Sequence, residues 1–238
     1  YMVHLFFGLS LPGCTFLLFI FMGALVAPTA REHEVAPIKL AEVALVVGVA
    51  CVAIVSIISV RLYVADYYFL KGNNSAAGND LVGAVNNYKT ATILDPYNDR
   101  YKTEYFSSSA ALAFDAVQSA QDKQLPQSEA DRYVAEAERI GAQTIKFMPW
   151  EYDNYSMIAL FDTQLAEVTG DKTYFEKAIK LVEPQIKLTP TGLALRYAYA
   201  RALVGMGRIP EAKAQLEICV KQDTNFTYAQ ELLNSLKA

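Results

Sequence analysis

Charged residues are distributed very unevenly along this chain. Residues 1–30 contain no Asp, Glu, Lys or Arg, and residues 40–60 contain only Glu42. Of the 21 basic residues, 19 lie at or beyond Arg61, as do 22 of the 25 acidic residues. An apolar N-terminal quarter therefore precedes a polar remainder, and the sequence predicts a membrane-embedded piece joined to a water-soluble piece.

Two apolar stretches are each long enough to cross a lipid bilayer as a helix. They run from about residue 3 to 26 and from about residue 38 to 60, and a hydrocarbon core of about 30 Å requires roughly 20 helical residues. We therefore predict two transmembrane helices within residues 1–61, joined by a short loop at 27–37. Counting Lys39, this short loop offers two basic residues, and the flank beyond the second stretch offers two, Arg61 and Lys71. The counts are nearly tied, with a slight lean towards a cytoplasmic loop and an extracytoplasmic remainder.

The remainder, residues 62–238, has a repeating helical pattern. Its apolar residues recur at helical spacing rather than alternating as in strands. A longer period of 34 residues relates Ala178 to Ala212 and Leu165 to Tyr199. A fixed period of this length is typical of arrays in which each unit is a pair of helices.

The first unit shows the pattern most clearly. Ala84, Tyr88 and Ala91 form a stripe at i, i+4 and i+7 that ends at Leu94-Asp95-Pro96, and residues 73–79 have the composition of a loop. This arrangement resembles the tetratricopeptide repeat (TPR), in which small residues let two antiparallel helices approach and a late proline stops the second helix. The resemblance implies an α-solenoid in residues 62–238.

Three further units and a terminal helix follow. The second unit, at about 99–149, is stretched, and Gly141 stands where an aromatic residue is usual. The third and fourth units cover about 151–190 and 192–224, and residues 225–238 form an amphipathic helix that would cap the array. The predicted fold is all-α: two transmembrane helices followed by a TPR-like α-solenoid of about four helical pairs with a C-terminal capping helix.

Charge and cysteine content exclude some classes of function. The net charge is −4, and the sequence lacks the basic stripe that nucleic-acid binding requires, so we expect no nucleic-acid partner. Cys14 and Cys51 lie in the apolar stretches and Cys219 is alone in the polar part. These cysteines do not form a disulfide framework, and we interpret them as small buried side chains.

No catalytic or metal-binding motif stands out in the sequence. The two histidines, His4 and His33, have no partner at the spacing of a metal site or a catalytic triad. Carboxylate pairs such as Glu136 and Glu138 lie in a solvated helical context and carry no argument for acid–base catalysis. We therefore assign no catalytic, cofactor-binding or metal-ligating residue to this stretch and expect no cofactor.

One group of aromatic residues is a candidate ligand surface. These residues cluster around the starts of the second and third units: Tyr97, Tyr101, Tyr105, Trp150, Tyr152 and Tyr155, with Phe106 beside them. They could stack against a sugar or a peptide on the concave face of the array, or they could pack between repeats. Packing is the commoner role of large aromatic side chains.

The two parts of the chain together resemble a family of membrane proteins. The opening Tyr1–Pro12, continuing through Phe19–Gly23, resembles a late membrane helix of O-antigen ligase/polymerase-like proteins, and the turn Leu94–Asn98 and Tyr101 fit the TPR tail of repeat-bearing members. Members of this family transfer or polymerise lipid-linked glycans at the outer face of the bacterial cytoplasmic membrane. The resemblance implies that this stretch supplies the last membrane helices and a repeat domain, and that the catalytic residues lie upstream of Tyr1.

Two functions are compatible with these patterns. The first is the C-terminal part of an integral-membrane glycan ligase or polymerase of cell-surface polysaccharide, with upstream membrane helices as its partners. The second is a non-enzymatic, membrane-anchored TPR scaffold. Both predict membrane lipid as a partner and a protein or glycan on the concave face, and both predict that this stretch alone is catalytically silent. Many further apolar spans upstream would favour the first function, and an initiator methionine shortly before Tyr1 would favour the second.

Overall fold

Helices make up the regular structure of the described part of the chain. The computed structural model describes residues 38–236, and the side chains of residues 46, 48–50 and 53–236. Over this range there are nine helices and no strand: α1 (Ile38–Ala77), α2 (Leu81–Leu94), α3 (Asp99–Gln121), α4 (Gln127–Phe147), α5 (Tyr152–Thr169), α6 (Thr173–Leu188), α7 (Leu193–Gly205), α8 (Ile209–Gln222) and α9 (Thr227–Ser235). The all-α class is confirmed.

Helix α1 contains the second of the predicted membrane stretches, residues 38–60. Among the described residues, Gly48–Ala77 is the one helical segment long and apolar enough to cross a membrane, and almost none of its most apolar part is buried. Large exposed apolar side chains lie all around the helix, including Val46, Val49, Ile54, Val55, Ile57, Ile58 and Val60. The first predicted span, at about 3–26, lies outside the described residues.

The described residues fall into two compact units that divide between Tyr67 and Tyr68. The first unit contributes the apolar part of α1. The second unit contains residues 68–77 of α1 together with α2–α9, and it is an array of packed helices. The rest of the structural description concerns this second unit.

The second unit is built from successive helix pairs. Helix α3 packs against α4, α5 against α6, and α7 against α8, while α9 packs on α8. The first helices of consecutive pairs also contact each other, α3 with α5 and α5 with α7. Such stacking buries a continuous core between neighbouring pairs, and the predicted TPR-like array with a C-terminal cap is confirmed.

An alanine in each second helix explains how closely the helices approach. Ala84, Ala137, Ala178 and Ala212 are all fully buried, one in each of α2, α4, α6 and α8. A larger side chain at these positions would push the paired helices apart, because protein interiors are close-packed. The period of 34 residues in the sequence therefore reflects a repeated packing requirement.

The predicted loop at residues 73–79 is wrong in most of its length. Helix α1 continues through Ala77, and only a short turn precedes α2. The ring of Tyr88 packs where a Cβ on Gly72 would stand, and the Tyr88 hydroxyl donates a 2.7 Å hydrogen bond to the Asn73 side-chain oxygen. These tertiary contacts stabilise the helix although its asparagines and glycine favour loops.

The second pair departs from the repeat pattern in a specific way. Gly141 of α4 stands where an aromatic residue is usual, and Phe106 of α3 occupies the space beside it: a Cβ on Gly141 would lie 3.0 Å from that ring. Phe106 is buried and contacts Phe161 of α5 edge to face, with 6.1 Å between ring centroids. Phe106 of α3, the first helix of this pair, therefore supplies the aromatic ring that α4 lacks at Gly141.

Candidate functional site

The first helices of the second and third pairs form a groove, here called the first-helix groove. Small side chains of α3 form one wall, side chains of α5 form the other, and two rings lie at its base. The lining residues are Ser107, Ala110 and Ala111 of α3, Met157, Leu160 and Gln164 of α5, and the rings Phe106 and Phe161. The groove has a volume of about 230 Å³, enough for a few side chains of a bound segment rather than for a cofactor.

The same face continues onto α7 through an ion pair. The guanidinium of Arg201 donates to both carboxylate oxygens of Glu167, at 3.0 and 2.5 Å, and the two residues are 34 positions apart. Both side chains are partly exposed. The pair therefore links equivalent turns of α5 and α7 and places opposite charges beside the groove.

An aromatic cluster lies at the C-terminal end of the array. Tyr197 of α7 contacts Phe226 and Tyr228, with ring centroids 5.7 and 6.1 Å apart, and Phe226 and Tyr228 are separated by 6.2 Å. Burial raises the pKa of the Tyr197 hydroxyl, whereas Tyr228 is largely exposed. These rings hold the start of α9 against α7 and leave one tyrosine at the surface.

A second groove, here called the Asp162 groove, lies between α4, α5 and α6. Its volume is about 580 Å³, and it is lined by Glu138, Ala142, Ile145, Ile158, Phe161, Asp162, Lys177, Lys180 and Leu181. Asp162 is only 6% exposed. Burial raises the pKa of its carboxyl to about 7, with Lys177 opposing the rise and Glu138 adding to it.

The charges around Asp162 are already engaged with each other. Lys177 donates a 2.7 Å hydrogen bond to Glu138, and this bond is the main cause of the raised pKa of Lys177. Within the described residues, no donor lies at hydrogen-bond distance from the Asp162 carboxyl. A buried carboxyl in an apolar setting titrates near neutral pH, so its protonation depends on pH in the physiological range.

Three of the predicted ligand-surface aromatics are exposed. Tyr97 and Trp150 lie in the turns that follow α2 and α4, and Tyr152 begins α5. All three are at the ends of helices where successive pairs connect, rather than on the first-helix groove. They stay candidates for contact with a partner.

The other three predicted residues are buried and serve packing. Tyr101 stacks on Phe69 with 4.7 Å between ring centroids. The Tyr105 hydroxyl lies 3.4 Å from Glu136, and burial raises its pKa to about 12. The Tyr155 hydroxyl donates a 3.0 Å hydrogen bond to the carbonyl of Pro149. These rings offer no free face for a sugar or peptide in this conformation.

The described residues contain no group of side chains suited to hold a metal ion. Cys219 of α8 is buried, and burial raises the pKa of its thiol to about 11, which leaves the thiol protonated and unreactive at neutral pH. His4 and His33 lie outside the described residues. Among the described carboxyls, Asp162 has the largest pKa shift, and the groove around it is lined by two lysines but by no Ser, Thr or Cys side chain.

Comparison with known proteins supports the fold. No family model matches the chain. A solved TPR protein from Thermus thermophilus, TTC0263, aligns with a TM-score of 0.56 at 17% identity, covering 72% of this chain and 80% of that one. The crystal structure of MamA aligns with a TM-score of 0.31 at 19% identity, covering 68% of this chain and 92% of that one. The alignment with TTC0263 supports a TPR-like fold for the polar part of the chain.

Sequence reasoning missed both grooves, although the pattern contained signals for them. Ile158, Asp162 and Leu165 are spaced at i, i+4 and i+7, which places the carboxyl on the apolar face of α5. Glu167 and Arg201 stand one period apart with opposite charges. Comparing charged residues across the repeat would have found the ion pair, and asking which charges fall on apolar faces would have found Asp162.

Proposed function

We propose that this protein is a membrane-tethered TPR scaffold that holds a segment of a protein partner on its first helices. The observation that carries the proposal is the first-helix groove of a TPR-like array, where Ala110 and Ala111 present little side chain above buried rings. Small side chains let a bound backbone approach closely. Met157 supports this role because its flexible thioether adapts to different apolar partners.

The polar groups around the groove favour a peptide over a free apolar ligand. Gln164 lines the groove and provides both an amide donor and a carbonyl acceptor, which suits a peptide backbone. Glu167 and Arg201 on the continuing face form a partly exposed ion pair, which can exchange one of its partners for a charge on a bound segment. We infer that the bound segment is apolar over a few residues and carries a charge at the end nearest α7.

The membrane tether in this proposal is the apolar part of α1. Exposed Val and Ile side chains surround residues 46–60, and a helix that is apolar on every side has no water-facing surface. We place this segment across the bacterial cytoplasmic membrane. In this proposal the array lies on the extracytoplasmic side.

A bulky charged residue in the groove tests partner binding. The change Ala111→Arg fills the exposed wall of the groove without altering the core, and we expect it to abolish cross-linking of a partner to a photoreactive residue at position 164. The matched control is Ala214→Arg, which adds the same side chain at an exposed alanine of α8. Equal cross-linking in both variants would contradict binding in the groove, and cross-linking lost in both would indicate a general effect on folding.

A second candidate function is the C-terminal part of a glycan ligase or polymerase. It is favoured by the resemblance of Tyr1–Pro12 and Phe19–Gly23 to a late membrane helix of that family, in a segment outside the described residues. In this case the groove would hold a protein of the same assembly. Sequencing the reading frame upstream of Tyr1 separates the candidates: many further membrane spans support the ligase, and a nearby initiator methionine supports the scaffold.

A further inference from the structure

Two large exposed rings occupy equivalent places in consecutive repeats. Tyr97 follows Asp95-Pro96 in the turn after α2, and Trp150 follows Met148-Pro149 in the turn after α4. Their exposed fractions are 84% and 76%. A single exposed ring is ordinary, but two at the same position of successive units form a repeated surface feature that the packing of the array does not explain.

The two turns lie side by side. The Lys102 ammonium contacts the carbonyl of Pro96 in the first turn, and it also lies 4.1 Å from the ring centroid of Phe147, which immediately precedes the second turn. Thr103 near the start of α3 lies 3.5 Å from the side-chain oxygen of Asn154 near the start of α5. Residues 95–98 and 148–152 therefore form one continuous surface, here called the aromatic edge.

The chain joins the array at this same edge. Phe69, the second residue of the array unit, stacks on Tyr101 at 4.7 Å between ring centroids, and the Arg100 guanidinium lies 4.9 Å from the centroid of Phe69. The apolar stretch ends at Val60, only eight residues before Tyr68. Even fully extended, these eight residues reach at most about 28 Å, which limits how far Tyr68 can lie from the end of the proposed membrane span.

We propose that the aromatic edge contacts the membrane surface, with Trp150 and Tyr97 inserted at the level of the lipid headgroups. Tryptophan and tyrosine are the side chains enriched at membrane interfaces, because their rings are apolar and their N–H and O–H groups remain hydrated. This inference rests on the proposed membrane tether and adds a defined contact between array and bilayer.

The charges of the aromatic edge indicate the kind of lipid surface that it fits. The edge itself carries Asp95 and Glu151, and the residues beside it are Asp99, Arg100, Lys102 and Asp153, so four acidic side chains stand against two basic ones. A surface with a small net negative charge is not attracted to anionic lipid, unlike a polybasic segment. Insertion therefore depends on the rings, and we expect it in zwitterionic phosphatidylcholine and at high salt.

Trp150 is the single tryptophan of the chain, so its fluorescence reports on the edge directly. The experiment places the full chain in phosphatidylcholine nanodiscs, whose two faces are both open to solvent. We expect Trp150 emission at shorter wavelength than in water, quenching by lipids brominated near the headgroup, and protection from iodide. Emission as in water, with full iodide quenching and no quenching by brominated lipid, would overturn the proposal.

A relocated tryptophan provides the matched control. The double variant Trp150→Phe/Gln124→Trp places the only tryptophan in the exposed turn between α3 and α4, at the opposite ends of these helices. We expect this residue to be quenched by iodide and not by brominated lipid. Protection of Trp150 from iodide without quenching by brominated lipid would assign the edge to a protein contact, such as a second copy, and would also overturn the proposal.

Failure of this inference can be distinguished from failure of the tether. Extraction of membranes at alkaline pH reports on the tether alone. A chain released by this treatment has no membrane span, and the proposed tether is then wrong. A chain that resists extraction while Trp150 remains in water retains the tether and refutes only the contact at the aromatic edge.

Discussion

At the scale of single residues, close contacts rather than residue type determine which substitutions destabilise the fold most. Gly205 at the end of α7 approaches α6 so closely that a Cβ there would overlap the ring of Phe175. Phe175 is buried and has little room to move. By contrast, a Cβ on Gly78 in the turn after α1 would make contacts of 3.4 Å or more, which is ordinary van der Waals separation.

These two glycines give the first prediction. Gly205→Ala gains about 1 kcal/mol of helix propensity but introduces overpacking that typically costs about 1–3 kcal/mol, so we expect a net loss of unfolding free energy. Gly78→Ala should leave it nearly unchanged. Urea unfolding followed by circular dichroism measures both, and a Gly205→Ala protein at least as stable as the Gly78→Ala control would contradict the close packing of α6 and α7.

Asp162 gives a second prediction, on pH. Burial raises its pKa to about 7 in the folded state, against about 3.9 when unfolded. The folded state therefore binds the proton more tightly, and stability falls as pH rises from about 4 to about 7, by up to roughly 4 kcal/mol. Lys177 of α6 and Glu138 of α4 are the charged groups that affect this pKa, and Lys180 also lines the groove.

The change Asp162→Asn removes that titration. We expect the variant to gain stability relative to the natural protein as pH increases from 4 to 7, with no further gain above pH 7. Asp115→Asn, at an exposed position of α3, is the control for removing a carboxylate. A stability difference for Asp162→Asn that is independent of pH would show that the carboxyl is hydrated rather than buried.

At the scale of helices, the ends of each element are set by particular side chains. Asp80 precedes α2 and its carboxylate accepts a 2.8 Å hydrogen bond from the backbone N–H of Gly83. At the ends of first helices, Gly170 and Gly207 adopt φ angles of 74° and 75°, a left-handed conformation that glycine adopts without strain. These residues fix where paired helices turn back on each other.

The cap at Asp80 gives a third prediction. Asp80→Ala removes the acceptor for the Gly83 N–H and should cost about 1 kcal/mol of unfolding free energy. Asp80→Asn keeps a side-chain oxygen in the same place, so most of the stability should remain. Thermal or urea unfolding distinguishes them, and equal losses in the two variants would mean that the charge, not the cap, stabilises α2.

Elements were predictable from sequence where the repeat itself constrains them. The buried alanines Ala178 and Ala212 followed from the period, because a close helix crossing needs a small side chain in every unit. Residues 73–77 were mispredicted because their composition favours a loop, while the contact between Gly72 and Tyr88 joins residues far apart in sequence. The burial of Tyr101, Tyr105 and Tyr155 depends on which face of each helix meets its neighbours, and helical spacing alone did not assign that face.

At the scale of the whole array, stability depends on covering its last open face. Helix α9 packs on α8, and Leu233 of α9 is 6% exposed. The end of a helical array otherwise exposes apolar core to water, which is why terminal helices with one polar face are required. The first-helix groove lies on the second and third pairs, and α9 covers the fourth.

The capping helix gives a fourth prediction, with a control in the same chain. Leu233→Ala should lower the unfolding free energy by about 2–4 kcal/mol, because it removes buried apolar contacts and leaves a cavity. Leu188→Ala, at a side chain that is 76% exposed, should change it by less than about 0.5 kcal/mol. Similar effects of the two substitutions would show that α9 is not packed on the array.

We propose that one chain joins a membrane span to a TPR-like array, and alkaline extraction of bacterial membranes tests the membrane span most directly. The natural chain should remain in the membrane pellet. A chain that begins at Arg61 lacks both predicted spans, about 3–26 and 38–60, and should be found in the soluble fraction with its cooperative unfolding intact. Release of the natural chain itself would contradict the account.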